Sequence, residues 1–484
     1  MEARPQTGTF NSNSEVSISM PLRIVFFILC FPLSVLQSSA VSALEKFNPE
    51  TEGKLFTLQG SNTVGARLAP TWAERWLAAK GATGVHIEPL ANENEYRVMG
   101  RNGLRPVYVD IHAHGSTTGF KGLLAKTADI AMASRPIKMQ EVEALKKDNG
   151  DMLSFSAEHV VAIDGLAVIV HPSNRISSLS VGHIQKIFSG QIKNWIEIGG
   201  PNRPIHVYAR DDKSGTYDTF KSLVLKKTHK LIGNAKRFES NDELSDTVSS
   251  DASGIGFVGL ASVRSSKALA ISEDRTKPLL PKTIHVATED YPLSRRLFMY
   301  TPEVVENNFI KEFITFAHSD AGQAVVEEIG FISQNPVSLK VADLIGPNEY
   351  QQLSDYAERL SVNFRFQPGQ ADLDNKALHD VLRLVKYVNE SNAGSPVQIQ
   401  LVGFSNTEES ETRADVLSKL RASAVKIELF RYGLNTAPIM GFGSEILVAN
   451  NEGNAGIKNE RVEVWVFNPA DKRAMKPEPN YATF

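Results

Sequence analysis

Cysteine is nearly missing from this chain: among 484 residues there is one, Cys30, and it lies inside an apolar run. A lone thiol builds neither a disulfide framework nor a cysteine-ligated metal cluster. An excess of charge of either sign is missing too. With 52 lysines and arginines against 55 acidic residues the net charge is −3, so no basic surface drives nucleic-acid binding. Charged residues (22%) and hydrophobic residues (42%) are ordinary for a globular protein, so neither disorder nor a multi-span membrane protein is indicated. The zinc-protease pattern, the P-loop and the Gly-x-Ser-x-Gly elbow are all lacking, and no catalytic residue, cofactor or metal is expected. His112 and His114 sit two apart on one face of an extended run, but no spacing places a third ligand beside them.

What is present begins with an address. Arg23 precedes the apolar run from Ile24 to Leu36, and Ser38-Ser39-Ala40-Val41-Ser42-Ala43 follow. A positive flank, a short apolar core and small residues read as a secretory signal peptide over residues 1–43, cut after Ala43 or Ala40. Phe31 does not suit lipidation of Cys30, and Met20 would make a more usual start. The expected compartment is the periplasm, with cell-wall or outer-membrane association open.

From Lys54 onward apolar extended runs alternate with helical ones, the pattern of an α/β protein. One local device recurs. A strand ends in small hydroxyl residues and glycine, and a helix starts there, so backbone N–H groups and a positive dipole end point at one place. It occurs at Gly60-Ser61-Asn62-Thr63-Val64, at Gly115-Ser116-Thr117-Thr118-Gly119, and at Arg210-Asp211-Asp212-Lys213-Ser214-Gly215-Thr216. A buried-looking strand ending in Ser134-Arg135 is a fourth segment of this kind. Such ends suit a tetrahedral oxyanion, with Arg210 able to grip two oxygens. Asp212 is either a clamp on Arg210 or an acceptor for a proton on the ligand, and a solvated turn before a capped helix is the plainer alternative. Residues 87–104 read as a polar, irregular surface insertion.

These segments, with Ala128-Asp129-Ile130, Ile184 to Gly190, Asn194-Trp195 and Gly254 to Gly259, resemble PstS-type periplasmic phosphate-binding proteins over residues 54–333. The resemblance implies two α/β lobes joined by crossover strands, closing on the ligand like a hinged clamp. It further implies ligand-binding roles for Ser61, Thr63, Val64, Ser116, Thr117, Ser134, Arg135, Arg210, Asp212, Ser214, Gly215 and Thr216. Some relatives carry an Asp near position 135 to accept the proton of hydrogen phosphate; here Arg135 stands there, which leaves Asp212 as acceptor and favours phosphate over sulfate.

Residues 334–359 read as a connecting stretch. A second α+β unit follows over residues 360–470, where Gly403-Phe404-Ser405-Asn406, Leu417-Ser418, Arg421-Ala422, Gly441-Phe442-Gly443 and Asn459 to Glu463 resemble the OmpA-like peptidoglycan-binding domain. That family clamps the diaminopimelate group with an Asp and an Arg. Arg421 keeps the Arg position, while Asn406 replaces the Asp and Ala414 an Asn, so wall binding is expected to be weakened. The combined expectation is a non-enzymatic receptor for phosphate or a similar oxyanion, held to peptidoglycan by its C-terminal domain. An envelope structural protein with a degenerate clamp and a phosphate-ester hydrolase remain the alternatives, and a permease partner is undetermined.

Overall fold

The computed structural model describes residues 44–474 apart from 213, 227, 274–275, 343, 368–369, 393–395, 407–409, 450–455 and 457. The expected signal peptide, residues 1–43, lies outside the described residues.

Among the described residues one eleven-stranded sheet runs through both lobes of an α/β clamp. In the first lobe Arg105–Ala113, Gly53–Gly60 and Ile130–Ala133 lie side by side and parallel. In the second, His206–Arg210 runs parallel to Gly254–Gly259. Two strands join the lobes. The longer, Glu158–Val170, pairs with Ser294–Tyr300 over its first half and with Gly254–Gly259 over its second. Twelve of its thirteen residues are buried, so it needs apolar residues on both faces, and a near-continuous Val/Ile/Ala run supplies them.

Packing follows the apolar faces of the helices. Trp72 and Trp76, four apart on the helix Leu68–Ala79, bury against Phe56 and Phe313 in the first lobe. Phe220 stacks on Phe257 at 3.9 Å between ring centres in the second. One expectation fails. Residues 87–104 are not irregular: Thr83–Pro89 and Glu95–Asn102 form an antiparallel pair at the sheet edge. An edge pair with one wet face carries few apolar residues, which hides its alternation. His112 and His114 lie beside it, and both close on Glu95, at 3.0 and 2.9 Å. Burial pushes the Glu95 carboxyl up, yet its hydrogen bonds with the two histidines and Asn92 outweigh this and bring it down to about 2.

The C-terminal α+β domain has a five-stranded sheet, among the described residues, covered by the helices Asn375–Asn392 and Glu411–Arg431. Its edge strand Ser338–Leu339 comes from the stretch between the two domains. The domain docks on the clamp through buried charges. Asp290 of the clamp, 3% exposed, accepts from Arg365 at 3.0 Å and Arg359 at 3.3 Å. Arg296 of the shorter crossover strand donates to Glu289 at 2.8 Å and to Asp374 of the C-terminal domain at 2.7 Å. Burial would raise the Asp290 carboxyl, but Arg461, Arg359 and Arg365 together hold it down at about 2. Such a network adds little net stability over an apolar interface, but it penalises any other docking geometry, because each charge displaced from its partner stays buried.

Candidate functional site: the cleft between the lobes

The first-lobe strands end together. Gly60 is level with Ala113 on one side and with Met132 on the other, so the hydroxyl-bearing turns that follow emerge at one edge. The carboxyl edge of parallel strands is where open α/β sheets take ligands. Gly60 is required there, since a Cβ would lie 2.0 Å from the Met132 carbonyl oxygen. Ser61 caps the short helix Asn62–Gly65, accepting from the Thr63 N–H at 3.2 Å. Across the cleft, Ser214 caps the helix Gly215–Phe220 through the Tyr217 N–H.

The lobes touch at these caps. A Cβ on Gly215 would stand 2.5 Å from Thr63 Oγ1 and 2.7 Å from Thr63 Cα. Thr63, Arg210, Ser214, Gly215 and Thr216 line one cavity of about 620 Å³, with Glu239, Asp242, Glu327 and Glu328 also in its wall. Val64 is fully buried and is not among the residues that line this cavity. Arg210 is held by its Nε–H to the Phe238 carbonyl at 3.2 Å. Burial lowers its pKa, with Asp211 opposing, and the guanidinium stays charged.

Other expected residues lie beside this cavity or away from it. Ser116 Oγ accepts from the Ser134 N–H at 3.1 Å, which ties two strand ends together. Arg135 is spent on Glu141, with contacts at 2.7 and 2.8 Å, and also donates to Thr117 Oγ1 at 3.1 Å. Glu141 is the third residue of the next helix, within reach of Arg135 by local geometry alone. Burial raises the Glu141 carboxyl, and Arg135 together with the Lys138 N–H more than reverses that. Asp212 is placed differently from expectation. Its carboxylate is 83% exposed and pairs with Arg237 at 2.8 Å, so it does not clamp Arg210.

Arg295 and Asp164 escaped the sequence reading. Arg295, on the shorter crossover strand, donates to Thr63 Oγ1 at 2.9 Å in one lobe and to the Gly215 carbonyl at 3.0 Å in the other. Its Nε–H goes to Asp164 Oδ2 at 3.2 Å, and Thr219 Oγ1 donates to the same oxygen at 3.0 Å. Burial lowers the Arg295 pKa against the pull of Asp164. A signal existed. Ser294-Arg295-Arg296-Leu297 sets two cations side by side at the start of an apolar strand, so one had to face each side, and Asp164 interrupts an apolar run likewise.

In the C-terminal domain Arg421 is 3% exposed and both of its terminal nitrogens are engaged, while its buried Nε has no partner. Its Nη2 meets Glu460 at 2.6 Å and its Nη1 donates to Ser405 Oγ at 2.8 Å. Asn406 donates to the other Glu460 oxygen at 2.8 Å. Glu460 thus supplies a carboxylate in the neighbourhood where Asn406 lacks one.

A two-lobed α/β clamp with its cleft at converging strand ends defines a solute-receptor class. The family model of the PBP superfamily domain matches residues 80–321, half of the chain, and that of the OmpA family matches residues 365–461. The chain is 30% identical over 265 residues to the phosphate-binding protein PstS of Borreliella burgdorferi, covering 54% of this chain and 90% of that relative. It is 32% identical over 268 residues to Protein SphX of Synechococcus elongatus, covering 53% of this chain and 77% of that one. An ABC-type phosphate transport receptor from Vibrio cholerae aligns with a TM-score of 0.46 at 26% identity, over 57% of this chain and 99% of that one. The chain belongs to the PBP superfamily, with PstS proteins among its relatives, and ends in an OmpA-family domain.

Proposed function

We propose that this protein is a non-enzymatic receptor of the cell envelope that binds phosphate between its lobes and contacts peptidoglycan through its C-terminal domain. The observation that carries the first part is the meeting of Thr63, Arg210, Ser214, Gly215 and Thr216 at one cavity, with Arg295 joined to both lobes beside them. The Arg210 guanidinium and the capped helix starts replace the hydration of a small anion, while Arg295, committed to Asp164, Thr63, Gly215 and Ser134, holds the two lobes in place around it. Ser61, Val64, Ser116 and Ser134 support the shell from behind. Asp164 takes the acceptor role that Asp212 is turned away from. Both of its contacts use Oδ2, which leaves Oδ1 for a protonated ligand oxygen, and sulfate has no proton to give it.

The wall contact rests on Arg421, from which a diaminopimelate carboxylate has to displace Glu460, so the tether is weak. The test is calorimetric titration of the whole chain from Leu44 with phosphate, sulfate and molybdate. The clamp alone would expose the Asp290 network to water, so it is the wrong object. One phosphate per chain and much weaker sulfate binding are expected; no heat with any of the three anions would leave the clamp without its ligand.

A further inference from the structure

On the side of the crossover strands away from the cleft charges, three histidines from three elements converge. His159 sits on the longer crossover strand, His318 ends the helix Asn308–His318 of the first lobe, and His379 belongs to the C-terminal helix Asn375–Asn392. One imidazole nitrogen from each lies within 4.8 Å of the others. His159 is 8% exposed, and three buried nitrogens, His159 Nδ1, His318 Nε2 and His379 Nε2, have no hydrogen-bond partner. Buried polar atoms are rarely left unpaired, and three in one place call for a shared guest. The rings are held from outside. Thr301 Oγ1 gives its own hydrogen to the Ser156 carbonyl and so accepts from His159 Nε2 at 3.3 Å, which leaves the Nδ1 lone pair open. His379 is stacked between Phe155 at 4.3 Å and His318 at 4.6 Å. The three histidines border a cavity of about 560 Å³, which gives an entry path and room for a water as fourth ligand.

We propose that His159, His318 and His379 form a site for a divalent transition ion of the zinc class, bridging the clamp and the C-terminal domain. Neutral imidazoles suit Zn²⁺, Co²⁺, Ni²⁺ and Cu²⁺, and a tetrahedral ion takes three of them plus a water. Closing nitrogens that lie within 4.8 Å of one another onto one ion requires the rings to move, and His318 and His379 to leave their stacked arrangement. One hydrogen bond has to give way as well: Arg383 Nη2 donates to His318 Nδ1 at 3.0 Å, which puts the His318 proton on Nε2. With an ion on Nε2 that proton moves to Nδ1, and Arg383 keeps Asp380 at 2.7 Å and Gln334 at 3.2 Å through its other nitrogen. Arg383 is therefore a positioning residue that opposes the ion, and Arg383→Gln, which can accept from Nδ1–H, favours it.

The test is titration of the chelator-stripped whole chain with Zn²⁺ by calorimetry and with Co²⁺ by visible absorption. One ion per chain, the intense d–d bands of tetrahedral cobalt and a higher thermal midpoint with zinc are expected. His379→Gln and His318→Gln should each lower affinity by at least about 100-fold while phosphate titration, the check on folding, persists. Arg383→Gln should raise it about tenfold, and His112→Ala with His114→Ala should change nothing. No uptake by the unmutated chain, or uptake unchanged in both His→Gln variants, overturns the site.

Discussion

Gly215→Ala sets two known effects against each other, and the structure gives both signs. The position is the first residue of the helix Gly215–Phe220, where alanine forms helix better than glycine by up to about 1 kcal/mol. In the second lobe taken alone the change should be neutral or stabilising. The added methyl, however, would stand 2.5 Å from Thr63 Oγ1 and 2.7 Å from Thr63 Cα, across the cleft. The hydroxyl can rotate away, but the backbone carbon cannot. Overpacking of this kind costs about 1–3 kcal/mol, and here it falls only on the closed clamp. At about 1.4 kcal/mol per tenfold, phosphate affinity should drop roughly 5- to 150-fold. The assay is calorimetry with phosphate beside thermal unfolding without it. Weaker binding with an unchanged or higher unliganded midpoint is expected. Unaltered phosphate affinity, or a matching loss of unliganded stability, would place the clash inside one lobe and refute closure at Thr63.

The other cleft tests concern the buried pair. Arg295→Met alone strands Asp164 and should cost about 3–5 kcal/mol in chemical denaturation, whereas Arg295→Met with Asp164→Leu should recover most of that stability but not phosphate binding. Asp290 has its pKa depressed to about 2 in the folded chain, so its contribution is present above the unfolded value near 4 and fades as pH falls toward 2. Acid unfolding curves of Asp290→Asn should accordingly be flatter than wild type across that window; superimposable curves would deny the network its role. In the C-terminal domain, Asn406→Asp restores a partner for the ligand's ammonium and Glu460→Gln releases Arg421. The double variant should sediment with purified sacculi at least about tenfold more tightly than wild type, by roughly 1.5–3 kcal/mol per charge-assisted contact.

Much that depends on a short window of chain was legible in the sequence. The α/β alternation, the strand, hydroxyl and helix segments at Ser61, Ser116 and Ser214, and Arg210 at a strand end follow from periodicity and capping within about ten residues, whereas the crossover strands were implied only by the resemblance to PstS-type proteins. The edge pair over residues 83–102 was not legible, because polar edge strands lack that periodicity. Partners were decided by tertiary structure alone. Arg295 reaches Thr63 from 232 residues away, Arg421 finds Glu460, Asp212 turns out to Arg237, and His379 arrives beside His159 and His318 from another domain. Local propensity fixes where a side chain leaves the backbone. Which charge or ring it meets depends on how distant segments are brought together by burying their apolar faces, and that burial is indifferent to the chemistry it happens to place in contact.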